Sequence, residues 1–335
     1  MSAQGALELN ADNVPAEPCI VVDLDDSAAL DEIGRLHSSG TTAVVFGTSL
    51  RPLSDEALRA ASRLTCTVVP EGLASAPSLI GVADPDAAIG QLRAAIDHSP
   101  IAAASLARLL PQVTDLPVID GLAAESAVYS MLLAGREFAG WLADRPAPRS
   151  AAKASGEAVR MDRRGNVLEI TLDRPARRNA FDMDIRDGLA EAFDLVADDS
   201  SITRVDLRGE GPAFCSGGDL DEFGLGADVT TMHLIRLDRS IAARVNRSRD
   251  RVVAHLHGAC VGAGIEVPSF AGRVFAAPGT WFHLPEVAMG LVPGAGGTVG
   301  ITRRVGRWRT AYLAISGVRL DLTTALDWGL VDAIE

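Results

Sequence analysis

Short apolar runs alternate with amphipathic stretches through the first hundred residues. CIVVDL (19–24), TTAVVFG (41–47), TCTVVP (65–70) and SLIGVA (78–83) are rich in β-branched residues and bounded by turn formers, so they predict strands. Between and after them, apolar positions recur every three or four residues. That spacing predicts helices over SAALDEIGRLH (27–37), capped by Asp25 or Asp26, and over SDEALRAASRL (54–64), with Ser54 as N-cap. Further helices are predicted over PDAAIGQLRAAIDH (85–98), IAAASLARLL (101–110) and GLAAESAVYSMLLAG (121–135). The stretch 120–148 reads as an amphipathic helical pair with Leu122, Val128, Leu132 and Leu133 inward.

The pattern breaks at RPAPRSAAKASGEAVRMDRRG (145–165), where Pro, Ala, Ser and basic residues dominate without apolar periodicity, as in a linker. Strand–helix alternation then restarts. NVLEITLD (166–173), TRVDLRG (203–209) and RVVAHLHG (251–258) predict strands, and FDMDIRDGLAEAFDLVAD (181–198) predicts a helix. DVTTMHLIRLDRSIAARVNRSRD (228–250) reads as one long helix with an Arg-rich polar face. The fold class is α/β (α+β), in two lobes with no tandem repeat.

Charge narrows the partners. The 335 residues carry 31 Lys+Arg against 44 Asp+Glu, a formal net charge of −13. Such a surface repels nucleic-acid phosphates and anionic membranes, so neither is an expected partner. No apolar run approaches the roughly 18 residues of a membrane-spanning helix. The opening MSAQGALELN lacks the basic and apolar regions of a signal peptide. Cys19, Cys66, Cys215 and Cys260 form no C-x-x-C and read as reduced thiols of a cytoplasmic protein. The six histidines show no metal-ligand spacing, so no metal site is expected.

Two glycine-rich turns follow predicted strands, GPAFCSGGDL (211–220) and HGACVGAGIE (257–266). Small residues there leave backbone N–H groups open, and two such turns facing one another could hold an oxyanion; either alone reads first as a simple connection. The P-loop pattern is absent, and VPGAGGTVG (292–300) is not a dinucleotide fingerprint. Glu266 ends the second turn, and Glu286 follows in WFHLPEVAMGLVPGAGGT (281–298). Two acids reaching one cavity can divide acid and base roles.

Taken in order, RPARRNAFD, AFCSGGDL, HGACVGAGIE, FHLPEVAMGLVPGAGGT and GLVDAIE make residues 159–335 resemble the crotonase superfamily, and within it the enoyl-CoA hydratase/isomerase family. The resemblance implies a ββα spiral that binds an acyl-CoA thioester, with coenzyme A as part of the substrate and no separate cofactor. It implies that the N–H groups of Gly218 and Ala263 hold the thioester oxygen. Glu266 would activate water for the β-carbon, and Glu286 would supply a proton to the α-carbon. Asn179 and Ala180 match the segment at the adenine end of the CoA cleft. Arg174, Arg177 and Arg178 would meet CoA phosphates or form a solvated basic turn, and Ser216 would join the CoA contacts.

The implied activity is that of an enoyl-CoA hydratase-like lyase, making a 3-hydroxyacyl-CoA from a 2-enoyl-CoA. Alternatives are an isomerase, a thioester hydrolase, a cofactor-free oxygenase, or a non-catalytic assembly partner. Homo-oligomers, trimeric or hexameric, are the family expectation. Departures from the family pattern are Asp221 in place of a Lys, Pro268 just past Glu266, Gly272 in place of an Asp, and His283 in place of a small residue. His283 would enter the acyl pocket or serve as a hydrogen-bonded structural residue. The sequence ends at GLVDAIE, where the family continues into helices, while 120–148 resembles those helices. The expected organisation is therefore an N-terminal lobe (1–148), read as a degenerate crotonase lobe whose helices cap the catalytic one, a linker (149–158) and a catalytic lobe (159–335). Residues 223–250 should shape the acyl pocket, but they follow no pattern that specifies an acyl group.

Overall fold

A computed structural model describes residues 7–11, 13–146, 156–226 and 228–335. The first lobe winds through β1 (Cys19–Asp23), α1 (Ala29–Ser39), β2 (Val44–Thr48), α2 (Asp55–Ala61), β3 (Cys66–Pro70) and β4 (Leu79–Val82). The four strands form a parallel sheet in sequence order. Both its faces are covered, which is why the strands read as near-continuous apolar runs. Val22, Val69 and Leu79 meet Ile33 of α1 and Ala61 of α2 on one face. Phe46, Val68 and Ile80 face the opposite way, into a larger core.

Four helices follow: α3 (Pro85–His98), α4 (Pro100–Asp115), α5 (Val118–Leu133) and α6 (Arg136–Ala143). Asp84 caps α3 by accepting the Ala87 N–H at 3.0 Å, with Pro85 in the first turn. The carboxylate of Glu137 turns back to accept the N–H groups of Ile101 (2.7 Å) and Ala102 (2.9 Å) at the start of α4.

The second lobe contains β5 (Val159–Arg164), β6 (Val167–Leu172), α7 (Met183–Asp198), β7 (Arg204–Gly209), α8 (Val229–Asp238), α9 (Ile241–Arg247), β8 (Val252–Leu256), β9 (Ala259–Val261) and α10 (Ala263–Glu266). It continues through β10 (Arg273–Ala276), β11 (Trp281–His283), α11 (Gly297–Val305), α12 (Arg307–Ser316), β12 (Leu320–Asp321), α13 (Leu322–Trp328) and β13 (Ala333–Ile334). The main sheet runs β13-β10-β8-β7-β6-β5, parallel except for the β5–β6 hairpin. A small second sheet runs β12-β11-β9.

The lobes share one core. Helix α12 packs against α3, α4, β3 and β4. Trp308 Nε1 donates to the Ser62 carbonyl at 3.1 Å, and Gln91 Nε2 donates to the Ser316 carbonyl at 3.0 Å. Helix α5 lies across α8 and α11 of the same chain, so the upstream helices do cover the second lobe. Gly121 makes the close approach possible, since a Cβ there would stand 3.1 Å from Val299. No single helix among the described residues is long and apolar enough to cross a membrane.

Several sequence expectations are corrected. Helix α1 begins two residues later than expected: Asp26 accepts the Ala28 N–H instead of capping the helix, and Asp25 holds Ser49 and Leu50. Helix α4 runs on through Pro111 to Asp115. The expected single helix over 228–250 is two, because Ser240 accepts the Ala243 N–H and caps α9 afresh. The stretch read as unstructured up to 165 contains β5, which pairs with β6 along its whole length. Of the expected linker 149–158, residues 149–155 lie outside the described residues.

Candidate active site

The two glycine turns lie against each other, joined by a parallel bridge between Cys215 and Cys260. The Val261 N–H donates to the Cys215 carbonyl at 3.0 Å, and a Cβ at Gly264 would run into that carbonyl. Gly218 is bracketed by Phe181, whose N–H donates to the Gly217 carbonyl (2.8 Å) and whose carbonyl accepts the Asp219 N–H (3.0 Å). The N–H of Gly218 therefore faces away from Phe181, and among the described residues nothing accepts it. Ala263 opens α10, and its N–H is likewise without an acceptor among them. Helix α10 is short because Pro268 starts a separate 3₁₀ turn over Pro268–Phe270.

Glu266 closes α10 and is 2% exposed; Glu286 is 9% exposed. A Cβ at Gly262 would stand 2.6 Å from Glu286 Oε1 and 3.8 Å from Glu266 Oε1, so both carboxyls reach the same point of the second turn. Gly262 also has a φ of +48°, where L side chains are strained. The other oxygen of Glu266 accepts the N–H groups of Ala295 and Gly297, each at 2.8 Å. The other oxygen of Glu286 is buried without a partner among the described residues.

A third buried acid, Glu125 of α5, was not singled out by the sequence reading. Its carboxyl accepts the Gly296 N–H at 2.7 Å, the Thr298 N–H at 2.9 Å and the Thr298 hydroxyl at 2.6 Å. Its signal in the sequence is an acid on the inward face of an amphipathic helix, three residues after the buried Leu122. Burial pushes all three acids up. Glu125 rises to about 8, from burial first and then the nearby Glu266, against its three hydrogen bonds. Glu266 rises to about 7, held down by the two amides it accepts. Glu286 is raised well above the usual range by burial and by Glu266. Packed this closely, the three acids cannot all ionise at neutral pH.

The residues expected at coenzyme A behave differently from one another. Arg174 is buried and donates to the carbonyls of Gly156, Glu157 and Asp173. Asn179 is fully buried; its amide donates to the carbonyls of Glu210, Ala213 and Phe214, and its oxygen accepts the Arg174 N–H. Both side chains brace the chain's own backbone, so any contact this segment makes with CoA falls to its main chain and to neighbouring residues. Arg177 is bridged at 2.8 Å to Asp219 and at 2.8 Å to Asp221, the position where the family carries a Lys. Ala180 is partly exposed beside this bracket, and the Ser216 hydroxyl reaches the Arg177 carbonyl at 3.5 Å. His283 turns to the Val318 carbonyl at 3.4 Å, in line with the structural alternative.

The upstream helices form the roof. The Phe223 ring lies against Gly218, where a Cβ would stand 2.8 Å from it, and meets the stacked pair Phe138 and Trp141 of α6, tilted to the first and edge-on to the second. Two cavities open beside the turns. One of about 230 Å³ is lined by Glu125, Val267, Ala295 and Gly296. The other, about 350 Å³, is lined by Tyr129, Phe138, Asp219 and Phe223. Phe181, Met232 and Arg236 line both.

A main sheet and a small second sheet, with paired glycine turns at their junction, are the architecture of a crotonase-like protein. Over 55% of the chain it matches an enoyl-CoA hydratase structure from Thermoplasma volcanium, with a TM-score of 0.50, 31% identity and 74% of that chain covered. The enoyl-CoA hydratase/isomerase family matches residues 162–335, and the chain belongs to that family. Among similar proteins, 2,3-dehydroadipyl-CoA hydratase of Escherichia coli is 31% identical over 174 residues, 52% of this chain and 68% of that protein. The 1,2-epoxyphenylacetyl-CoA isomerase of the same organism is 32% identical, over 49% of this chain and 64% of that protein. A probable mitochondrial enoyl-CoA hydratase 2 of Arabidopsis thaliana is 29% identical, over 50% of this chain and 56% of that protein. All three are named for reactions of CoA thioesters.

Proposed function

We propose that the chain is an acyl-CoA lyase that adds water across the double bond of a 2-enoyl-CoA to give a 3-hydroxyacyl-CoA. The observation that carries this reading is the meeting of two buried carboxyls, Glu266 and Glu286, at Gly262, beside two backbone N–H groups that find no acceptor among the described residues. The N–H groups of Gly218 and Ala263 hold the thioester oxygen, where each such donor typically contributes roughly 2.7–4 kcal/mol to the transition state. Glu266, at about 7, is ionised in a large fraction of molecules near neutral pH and accepts a proton from water through its free oxygen. The water oxygen bonds to the β-carbon as the π electrons move onto the thioester oxygen. Glu286, kept protonated by burial, then gives its proton to the α-carbon as the enolate collapses. Transfer of the proton gained by Glu266 to Glu286 restores both groups.

The reading is tested by incubating the purified protein with a panel of 2-enoyl-CoA esters. Hydration bleaches the conjugated thioester absorbance, and the product gains the mass of one water; isomerisation leaves the mass unchanged. Glu286→Gln should lower kcat by roughly 10²–10⁴-fold. The acid limb of the kcat/KM profile should fall near pH 7, where Glu266 loses its charge. Conversion without a mass change rejects hydration, and an E286Q variant as active as the parent rejects the proton-donor role of Glu286.

A further inference from the structure

We propose that Arg236 anchors a carboxylate at the far end of the acyl chain, so that the thioesters bound here are those of dicarboxylic acyl groups. This rests on the thioester reading above and adds the class of acyl group to it.

Arg236 lies on α8 in the wall shared by both cavities. Its Nε donates to Ser126 Oγ at 3.2 Å, its Nη2 donates to Ser130 Oγ, and its guanidinium lies 4.8 Å from the centroid of the Tyr129 ring. Every one of these partners is neutral, and all come from α5. They fix the guanidinium in one plane and leave Nη1 without a partner among the described residues. Some arginines of the second lobe meet acids directly, as Arg177, Arg204 and Arg244 do, and others such as Arg303 and Arg307 are spent on backbone carbonyls. Arg236 forms no ion pair among the described residues; the acid that faces it across the cavity is Glu125, whose carboxyl is held by Gly296 and Thr298. The acids nearest the cavities are already engaged. Glu125 holds Gly296 and Thr298, Asp219 pairs with Arg177, and Glu222 accepts the Met183 N–H.

A guanidinium that is partly desolvated, held by neutral hydroxyls and open toward a cavity is a receptor for a planar anion; a carboxylate matches its fork. Its place relative to the proposed chemistry also suits an acyl tail. The Tyr129 ring presses on Gly294, next to Ala295, whose N–H holds Glu266. One aromatic side chain thus separates the anchor from the loop that holds Glu266. A simple fatty acyl group would leave this charge facing an apolar methyl end.

The test compares binding of saturated, unreactive thioesters to the full chain by titration calorimetry: butyryl- against succinyl-CoA, hexanoyl- against adipyl-CoA, and octanoyl- against suberyl-CoA. At least one dicarboxylic ester should bind about tenfold or more tightly than its partner of equal length, as a charge-assisted hydrogen bond predicts. Arg236→Gln should bring that ratio toward one, and Arg236→Lys should keep part of it. Equal affinities in all three pairs, or a ratio unchanged in R236Q, overturn the anchor. A preference that persists where hydration is not observed rejects the hydratase reading and leaves the anchor standing. Binding of no thioester overturns both.

Discussion

Replacing Glu125 with Gln should destabilise the protein by an amount that depends strongly on pH. One oxygen of Glu125 takes the Gly296 N–H, and the other takes both the N–H and the hydroxyl of Thr298. A Gln keeps the shape but offers only one acceptor oxygen, so whichever way its amide turns, at least one buried donor is left unpaired. That costs roughly 1–3 kcal/mol. The proton adds the pH dependence. Burial and Glu266 push Glu125 from its ordinary 4.5 to about 8, so the folded chain keeps a proton that the unfolded chain has released throughout that window. Where the folded state binds the extra proton, stability falls as pH rises, by roughly 1.4 kcal/mol per unit for one group. Gln has no such proton and loses that slope, while the parallel contribution of Glu266 remains in both proteins. The gap between parent and E125Q is therefore widest in mild acid, shrinks by about 3 kcal/mol over two pH units and is smallest near pH 8. Urea unfolding followed by circular dichroism at several pH values between 5 and 8 measures it. A gap that stays constant would mean that Glu125 is ionised in the folded protein, and the proton-sharing cluster would have to be abandoned.

Other substitutions probe separate parts of the site. Gly262→Ala puts a methyl group 2.6 Å from Glu286 Oε1 at a backbone φ of +48°, so turnover should drop well over tenfold while CD still reports a folded chain; normal turnover would contradict the placement of Glu286. Phe223→Ala removes the ring against Gly218 and its tilted and edge-on contacts with Phe138 and Trp141, so the urea midpoint should fall and thioester association should speed up. Asp221→Asn takes one of two carboxylates from Arg177 and should tighten CoA-ester binding several-fold at low salt; unchanged affinity would remove Arg177 from the phosphate path. A 159–335 fragment should be insoluble, because it exposes the faces of α11 and α12 now covered by α3, α4 and α5; a soluble, active fragment would refute the shared core.

What was legible in the sequence was what is encoded locally. The first-lobe strands are apolar because both faces are buried, and α3 was read to the residue because Pro85 and the periodicity agree. The glycine turns were legible because close backbone approach at 262 and 264 admits no side chain. Strand β5 was missed for a physical reason. It is an edge strand, largely exposed and loaded with Arg and Asp, the usual guard against edge-to-edge pairing, and such a strand reads as linker. Glu125 was missed because its partners lie 171 and 173 residues away, beyond any periodicity. The inward turn of Arg174 and Asn179 was not legible, because a motif fixes a position but not the direction in which its side chain is turned. Here both are turned inward, onto carbonyls that would otherwise lack donors.

The covering helices therefore act on the proposed chemistry through electrostatics as well as shape. Burial is the largest cause of the raised values of Glu125, Glu266 and Glu286, and α5 and α6, which lie before the linker in sequence, pack on α11 and on the 3₁₀ turn that follows Glu286. Without that roof, water would reach Glu266 and Glu286, and both would return toward ordinary glutamates, ionised at neutral pH. Two ionised carboxylates could still orient water, but neither could donate a proton to an enolate. The division between a proton-accepting Glu266 and a proton-holding Glu286 thus depends on helices that precede them by well over a hundred residues. It follows that mutations in the contact between α5 and α11 should move the pH profile of turnover before they abolish it, whereas mutations in the glycine turns should lower turnover at every pH.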